Sequence, residues 1–201
     1  MAEETTRARI ERAAREEFLD LGFQRASLRS IVKAAGVTTG AFYGYYDSKA
    51  ALFRALVGPV HDHVRETYRI SLDRFASLPL TEQPEHMGQA GLDCMRELLP
   101  YLCAHRDEVR LLLCCAEGTR YAHFVDELVA WEVEATHQYY DVLAQLGRPV
   151  PPIDPRLEHI LATGMFDACF ELILHDVPDP ETYLEDLNAF YTAGWQRIMG
   201  Q

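Results

Sequence analysis

An all-α fold of about nine helices is what this 201-residue sequence predicts, and three observations lead there. Apolar residues recur three and four apart along most of the chain, as one buried helix face requires. No segment alternates apolar and polar residues with the period of two that a half-buried strand shows. Capping residues, glycines and prolines fall between the periodic segments, where helices start and stop. With 48% hydrophobic and 25% charged residues the composition is that of an ordinary globular protein, which sets aside wholesale disorder and a coiled-coil rod.

Taken in order, the first helix is expected over residues 5–21, with Ile10, Ala13, Ala14, Phe18 and Leu21 on its apolar stripe and Gly22 ending it. Two short helices follow over 28–35 and 39–44, then a long one over 49–77. The remaining five are read over 84–103, 106–117, 119–146, 155–175 and 180–199. Asp154-Pro155 and Asp179-Pro180 each look like a cap followed by proline in the first helical position, where its missing N–H costs nothing. Residues 147–154 are the one stretch that reads as a flexible loop.

The net charge of −12 is unevenly spread. Residues 1–54 hold nine Lys/Arg against seven Asp/Glu, a net of +2, while the remaining 147 residues hold ten against 24, a net of −14. One end is therefore suited to a phosphate backbone and the other is repelled by it. The five cysteines, at 94, 103, 114, 115 and 169, stand inside periodic segments rather than in a disulfide framework, so a reducing, cytoplasmic setting is expected. No signal-peptide core and no membrane-spanning run are seen, and no membrane partner is expected.

Residues 27–46, SLRSIVKAAGVTTGAFYGYY, carry the most informative pattern. Ser27 can cap a helix whose inward face is Leu28, Ile31, Val32 and Ala35; Gly36 can take the positive φ that ends it, and Thr38 can cap the next. The second helix is too short to stand unless packed on the first and on helix 5–21, which leaves its outer face open to a groove. Thr38, Thr39, Gly40, Tyr43 and Tyr45 supply hydroxyls, methyls and a close backbone approach for bases and phosphates. Ser48 and Lys49, opening the long fourth helix, form an anion site suited to a further phosphate. Phe42 and Tyr46 are expected in the core. The plainer alternative is a helical hairpin that only packs.

Phe18 to Gly22-Phe23, Ser27 to Ile31, Ala34-Ala35-Gly36-Val37, Gly40 to Tyr43, Tyr45-Tyr46 and Ser48-Lys49 through Leu52-Phe53 resemble the amino-terminal signature of TetR-type (TetR/AcrR) transcriptional regulators, over about 50 residues. The resemblance implies base or backbone contacts from Thr38, Thr39 and Gly40, and phosphate contacts from Tyr43, Tyr45 and Lys49; Ser27 and Arg29 complete the expected DNA-contacting set. Gly44 departs from the pattern, since the family often has a larger residue there. Glu117-Gly118-Thr119-Arg120-Tyr121 resembles a recurring segment of an uncharacterised branch.

The implied organisation is a helix-turn-helix DNA-binding domain over residues 1–50 and a helical effector-binding and dimerisation domain over 51–201. Two-fold pairing is expected because one recognition helix contacts too few bases for tight specific binding. Ile160, Gly164, Met165 and Ala168 on the eighth predicted helix, with Leu187, Tyr191 and Trp195 on the ninth, are the expected dimer surface. Tyr101, Cys115, Tyr121, Phe124, Trp131, His137, His159, Phe166 and Phe170 form the candidate lining for a hydrophobic or aromatic effector.

Glu171 and His175, one turn apart with Asp167 a turn earlier, suit either a metal or an ordinary salt bridge. Cys114-Cys115 cannot readily form an unstrained mutual disulfide on a helix, though a thiol sensor is an alternative. No phosphate-loop, G-x-S-x-G, H-E-x-x-H or paired Cys-x-x-Cys motif is present, and no enzyme, metal or cofactor is predicted. The expected function is thus a dimeric, ligand-released repressor of a near-palindromic operator. The alternatives are a DNA-binding protein without an effector, and a thiol- or metal-responsive regulator.

Overall fold

Four hydroxyls start helices by turning back onto the backbone three residues later. The N–H of Ala8 donates to Thr5 Oγ1 at 3.2 Å, that of Ser30 to Ser27 Oγ at 3.4 Å, that of Ala41 to Thr38 Oγ1 at 3.1 Å and that of Ala51 to Ser48 Oγ at 3.0 Å. In this computed structural model, which describes residues 4–175 and 177–201, ten helices and no strand are found among the described residues. They are α1 (Thr6–Arg25), α2 (Leu28–Ala34), α3 (Thr39–Tyr43), α4 (Lys49–Ala76) and α5 (Gln83–His86), then α6 (Gln89–Ala104), α7 (Arg106–Cys114), α8 (Phe124–Gln145), α9 (Pro155–Leu174) and α10 (Pro180–Met199). The all-α prediction holds.

The differences have local causes. The segment expected as one helix over 84–103 is two, because Gly88 takes a φ of +82° between α5 and α6. The helix expected from residue 119 begins at Phe124, since Thr119 first folds into a turn, donating its hydroxyl to Ala116 O at 2.7 Å and accepting the Tyr121 N–H at 3.0 Å. Gly22 leaves helical geometry as expected, at a φ of +73°, and beyond this kink one further turn carries α1 to Arg25. Asp154 caps α9 as expected, accepting from the Arg156 N–H at 2.9 Å. Asp179 does not cap α10 through its side chain: its φ is 55°, and its carboxylate accepts from the Thr182 hydroxyl at 2.8 Å instead.

The chain forms two compact units, one of residues up to Asp62 with His105–Phe124, the other of His63–Ala104 with Val125–Gln201. In the first, Ile10, Phe18, Ile31, Phe42, Leu52 and Val57 are wholly buried. Phe18, Phe23 and Phe53 meet at centroid separations of 5.1–5.9 Å, the two contacts with Phe53 being edge-on. Arg15 of α1 pairs with Glu108 of α7 at 2.6 Å, and the Phe23 N–H donates to Cys115 O at 2.9 Å, so a segment distant in sequence completes this unit.

In the second unit, the amide of buried Gln83 donates to Leu78 O at 3.1 Å, closing the turn after α4. Tyr139, Leu143 and Met199 cluster where α8 meets the end of α10. Gly88 lies against α10 so closely that a Cβ there would stand 2.2 Å from Thr192 Oγ1 and 2.9 Å from Thr192 Cγ2.

Gly88→Ala should therefore cost about 2 kcal/mol through left-handed strain and overpacking. Gly91→Ala, where an added Cβ meets nothing within 4 Å, should be neutral or stabilising by up to about 1 kcal/mol. Urea unfolding of both variants reads the contrast, and equal effects would refute it.

Candidate functional site

In the first unit, α2, a tight turn and α3 form a helix-turn-helix. Ile31, Val32 and Ala35 are buried on the inner face of α2, and Gly36, at a φ of +64°, turns the chain into Thr38 and α3. α3 has only five residues, and its Phe42 is wholly buried while Tyr46 beyond it is 7% exposed. The Tyr46 hydroxyl donates to the Glu11 carboxylate of α1, and burial together with that carboxylate raises its pKa. Glu17 braces α2 from α1, accepting from the Ser27 N–H at 3.0 Å and the Ser30 hydroxyl at 2.9 Å.

What this packing leaves outside is the expected DNA-contacting set. Thr38, Thr39 and Gly40 are exposed, as are Ser27 and Arg29. Tyr43 and Tyr45 are 53% and 50% exposed, so their rings are not core. Hydroxyls, a glycine backbone and an arginine thus stand around one helix end, the chemistry that phosphate and base-edge contact needs.

Lys49 is placed differently from the expected phosphate contact. Its ammonium donates to Phe23 O at 2.6 Å, Ala26 O at 2.8 Å and Gln24 O at 3.4 Å, and stands 4.4 Å from the centre of the Phe23 ring. Burial lowers its pKa. All three donors are spent on the carbonyls that end α1, so the ammonium fastens α4 to α1 rather than facing outward.

The second unit contains a cavity of about 180 Å³ among α4, α6, α8, α9 and α10. Of the expected effector-lining residues only Phe166 lies on its wall. Met165, Leu187, Tyr191 and Trp195, expected at the dimer surface, line it instead. Gly164 also faces inward, where an added Cβ would come within 3.3 Å of the Tyr191 hydroxyl, while Ala168 is half-buried. Of that set Ile160 stands well out, 63% exposed, and α10 adds Phe190 at 72%.

The other expected lining residues are used elsewhere. Cys115 is buried in the first unit, Tyr121 packs on His61 and Phe53, and Phe124 packs on His61 at 5.3 Å. Tyr101 stacks on His63 at 4.1 Å, and Trp131 lies beneath Arg65 and Arg69. His137 hydrogen-bonds Glu158 at 2.8 Å, His159 is exposed beside it in a shallow groove, and Phe170 is buried but away from the cavity wall. Glu171 and His175 pair with each other at 2.5 Å, and no group of three metal-ligating side chains occurs among the described residues. Burial pushes the thiols of Cys94 and Cys169, which line the cavity, up to about 11.

Sequence reasoning missed a polar pair on the wall, Tyr68 and Glu132, whose hydroxyl and carboxyl are hydrogen-bonded. A signal existed. Leu128, Glu132, Ala135 and Tyr139 are spaced four, three and four apart, so Glu132 interrupts an otherwise apolar stripe.

Residues 10–56 match the family profile described as bacterial regulatory proteins, tetR family. The uncharacterized HTH-type transcriptional regulator YdgC of Bacillus subtilis is 43% identical over 61 residues, 30% of this chain and 31% of the relative. The HTH-type transcriptional regulator TtgR of Pseudomonas putida is 35% identical over 94 residues, 47% of this chain and 39% of the relative. The chain thus spans about a third of the length of these curated relatives. A TetR-family transcriptional regulator from Bordetella parapertussis shares the fold with a TM-score of 0.61 at 22% identity, over 94% of this chain and 95% of that one. These relatives are transcriptional regulators rather than enzymes, and no helix among the described residues is long and apolar enough to cross a membrane. Residues 10–56 thus carry the helix-turn-helix of the tetR family, and the chain shares the all-helical fold of a TetR-family regulator.

Proposed function

We propose that this chain is a cytoplasmic repressor that binds a near-palindromic operator as a homodimer, and that a small organic effector in the cavity of the second unit releases it. The observation that carries the DNA reading is the exposure of Thr39, Gly40, Tyr43 and Tyr45 around a helix whose Phe42 is wholly buried. A helix that served only packing would not leave two tyrosines about half exposed on its outer side. Thr39 and Gly40 face base edges, and Arg29, Thr38, Tyr43 and Tyr45 take phosphates, with Ser27 at the start of α2 beside them. Lys49 supports this surface from behind.

Homodimerisation through α9 and α10 is supported by the exposed Ile160 and Phe190 on those helices. Two recognition helices then sit about 34 Å apart or further, to match successive major-groove half-sites. Release requires the effector to bind two conformations unequally, by several kcal/mol for a complete switch. α4 supplies the covalent route, because Leu52 and Phe53 in its first half belong to the core of the first unit while Tyr68 and Phe75 in its second half line the cavity.

Fluorescence anisotropy on duplex from the DNA upstream of the protein's own gene tests the DNA reading. Arg29→Ala should lower affinity for every duplex and reduce the slope of log K against log salt by about one, because one phosphate contact by a cation is lost. Tyr43→Phe should weaken binding about three- to tenfold with little change in slope, since a neutral hydroxyl releases no counterion. Unchanged affinity in both variants would overturn the assignment.

Lys49→Ala should lower folding stability by about 1–3 kcal/mol, because carbonyls of residues 23, 24 and 26 lose their donor. Its salt slope should match that of the parent protein. A slope reduced by one would restore Lys49 as a phosphate ligand.

For the dimer, Ile160→Asp should sediment as a monomer and bind a two-half-site duplex at least about tenfold more weakly. A variant sedimenting like the unmodified dimer would place the interface elsewhere.

A further inference from the structure

The cavity of the second unit is lined mostly by apolar side chains, with Ser71, Thr136, Asn188 and Thr192 as neutral polar groups on its wall. Glu132 of α8 is the only residue with a formally charged side chain among its described lining residues. Methionines 87, 95 and 165 and the rings of Phe166, Tyr191 and Trp195 make up much of the remaining wall. The Glu132 carboxyl lies deep among protein atoms, yet the residue keeps accessible surface on the cavity.

Its one hydrogen-bond partner among the described residues is the Tyr68 hydroxyl of α4, which satisfies one carboxyl oxygen. Among the described residues no further hydrogen bond to this carboxyl is seen, and no Lys or Arg lines the cavity to compete for it. A ligand that brings its own donor can therefore add a hydrogen bond to this carboxyl.

We infer that the cavity takes small amphiphilic monocations, in which a protonated amine pairs with Glu132 and a ring or short alkyl body lies against the methionines and aromatic rings. This rests on the effector site proposed above and names its ligand class. Charge decides for a cation over a neutral donor, because a carboxylate in a low-dielectric site attracts an ammonium far more strongly than a hydroxyl. The ring faces add a second, weaker attraction for a cation. The volume of about 180 Å³ suits a one-ring body, being a little above the roughly 150 Å³ of a cavity that accommodates benzene. Anions are rejected, since they would meet Glu132 with no cation to offset it.

Binding also moves a proton. Burial raises the Glu132 pKa against the opposing Tyr68 hydrogen bond, and a paired ammonium lowers it, so a proton held by the empty site leaves to solvent on binding. The other titratable groups facing this region are Tyr68 on α4, Cys94 on α6, Tyr139 on α8, Cys169 on α9 and Tyr191 on α10, and burial raises all five, the two thiols to about 11. Ser71 of α4 also contacts Cys94. Of these groups Glu132 alone has its ordinary range on the acid side, so affinity for an amine tightens as pH rises through its raised pKa.

Calorimetry on the intact protein with phenethylamine, phenethyl alcohol and hydrocinnamate tests this, since the three are nearly equal in size and differ in charge. The amine should bind at least about tenfold more tightly than the alcohol, hydrocinnamate more weakly than both, and the amine should tighten as pH rises through the acid range. Glu132→Gln should erase the preference for the amine over the alcohol. An alcohol that binds as tightly as the amine, a preference that survives Glu132→Gln, or no binding by any of the three would overturn the assignment. Should Glu132→Gln fail to fold, the unmodified protein decides, because an amine affinity flat with pH would equally overturn it. The DNA experiments with Arg29→Ala and Tyr43→Phe contain no ligand, so the two readings fail separately.

Discussion

A five-residue helix has no stability of its own in water, and the DNA-facing surface depends on that constraint. Fixing the first turn of a helix costs more than its single hydrogen bond returns, so α3 exists because its surroundings hold it. Phe42 and Tyr46 are buried on one side, the Thr38 hydroxyl closes the amino end, and Glu11 of α1 takes the Tyr46 hydroxyl. The side chains on the other side of α3 remain exposed. The division is sharp within one turn: Phe42 is fully buried and Tyr43, the next residue, is 53% exposed.

Charged groups in this unit are spent largely on positioning. Glu17 anchors the start of α2, Arg15 ties α1 to Glu108 of α7, and Lys49 closes the end of α1. Lys49 shows why residue type alone misleads. An ammonium near the start of a helix suits an anion, but three carbonyls left open where α1 ends are closer and already fixed in place. The local competition between an internal acceptor and an external phosphate is settled by geometry that a linear pattern does not contain.

The same distinction explains what was legible in the sequence. Helix starts at Ser27, Thr38, Ser48 and Asp154 were readable because a cap bonds to a backbone group two or three residues away. The turn at Gly36 and the burial of Phe42 and Tyr46 were readable for the same local reason. The break at Gly88 was not, because a glycine inside a periodic segment does not declare whether it takes a helical or a positive φ. Nor was it visible that Met165, Leu187, Tyr191 and Trp195 turn toward a cavity while Ile160 and Phe190 turn out. All six sit on amphipathic helices, and a helix with apolar residues on more than one side does not declare which side meets its own chain. Glu132 was overlooked because a glutamate on a helix is usually solvated, although its place on the Leu128, Ala135 and Tyr139 stripe contradicted that default.

The Tyr68 and Glu132 pair is hard to account for by stability alone. A leucine at position 132 would fill the wall without desolvating a carboxyl, and apolar replacement of buried polar pairs is often neutral or stabilising. The pair joins α4 to α8, however, and α4 is the helix whose earlier turns hold Leu52 and Phe53 in the core beneath the helix-turn-helix. Under the amine pairing proposed above, ionising Glu132 would change the acceptor strength at Tyr68, and with it the relative free energies of conformations that differ in how α4 meets α8. A purely apolar wall has no such handle, because dispersion contacts discriminate between similar packings by only small increments. The buried carboxyl thus costs folding stability in a place where its protonation and pairing can be set by what occupies the cavity.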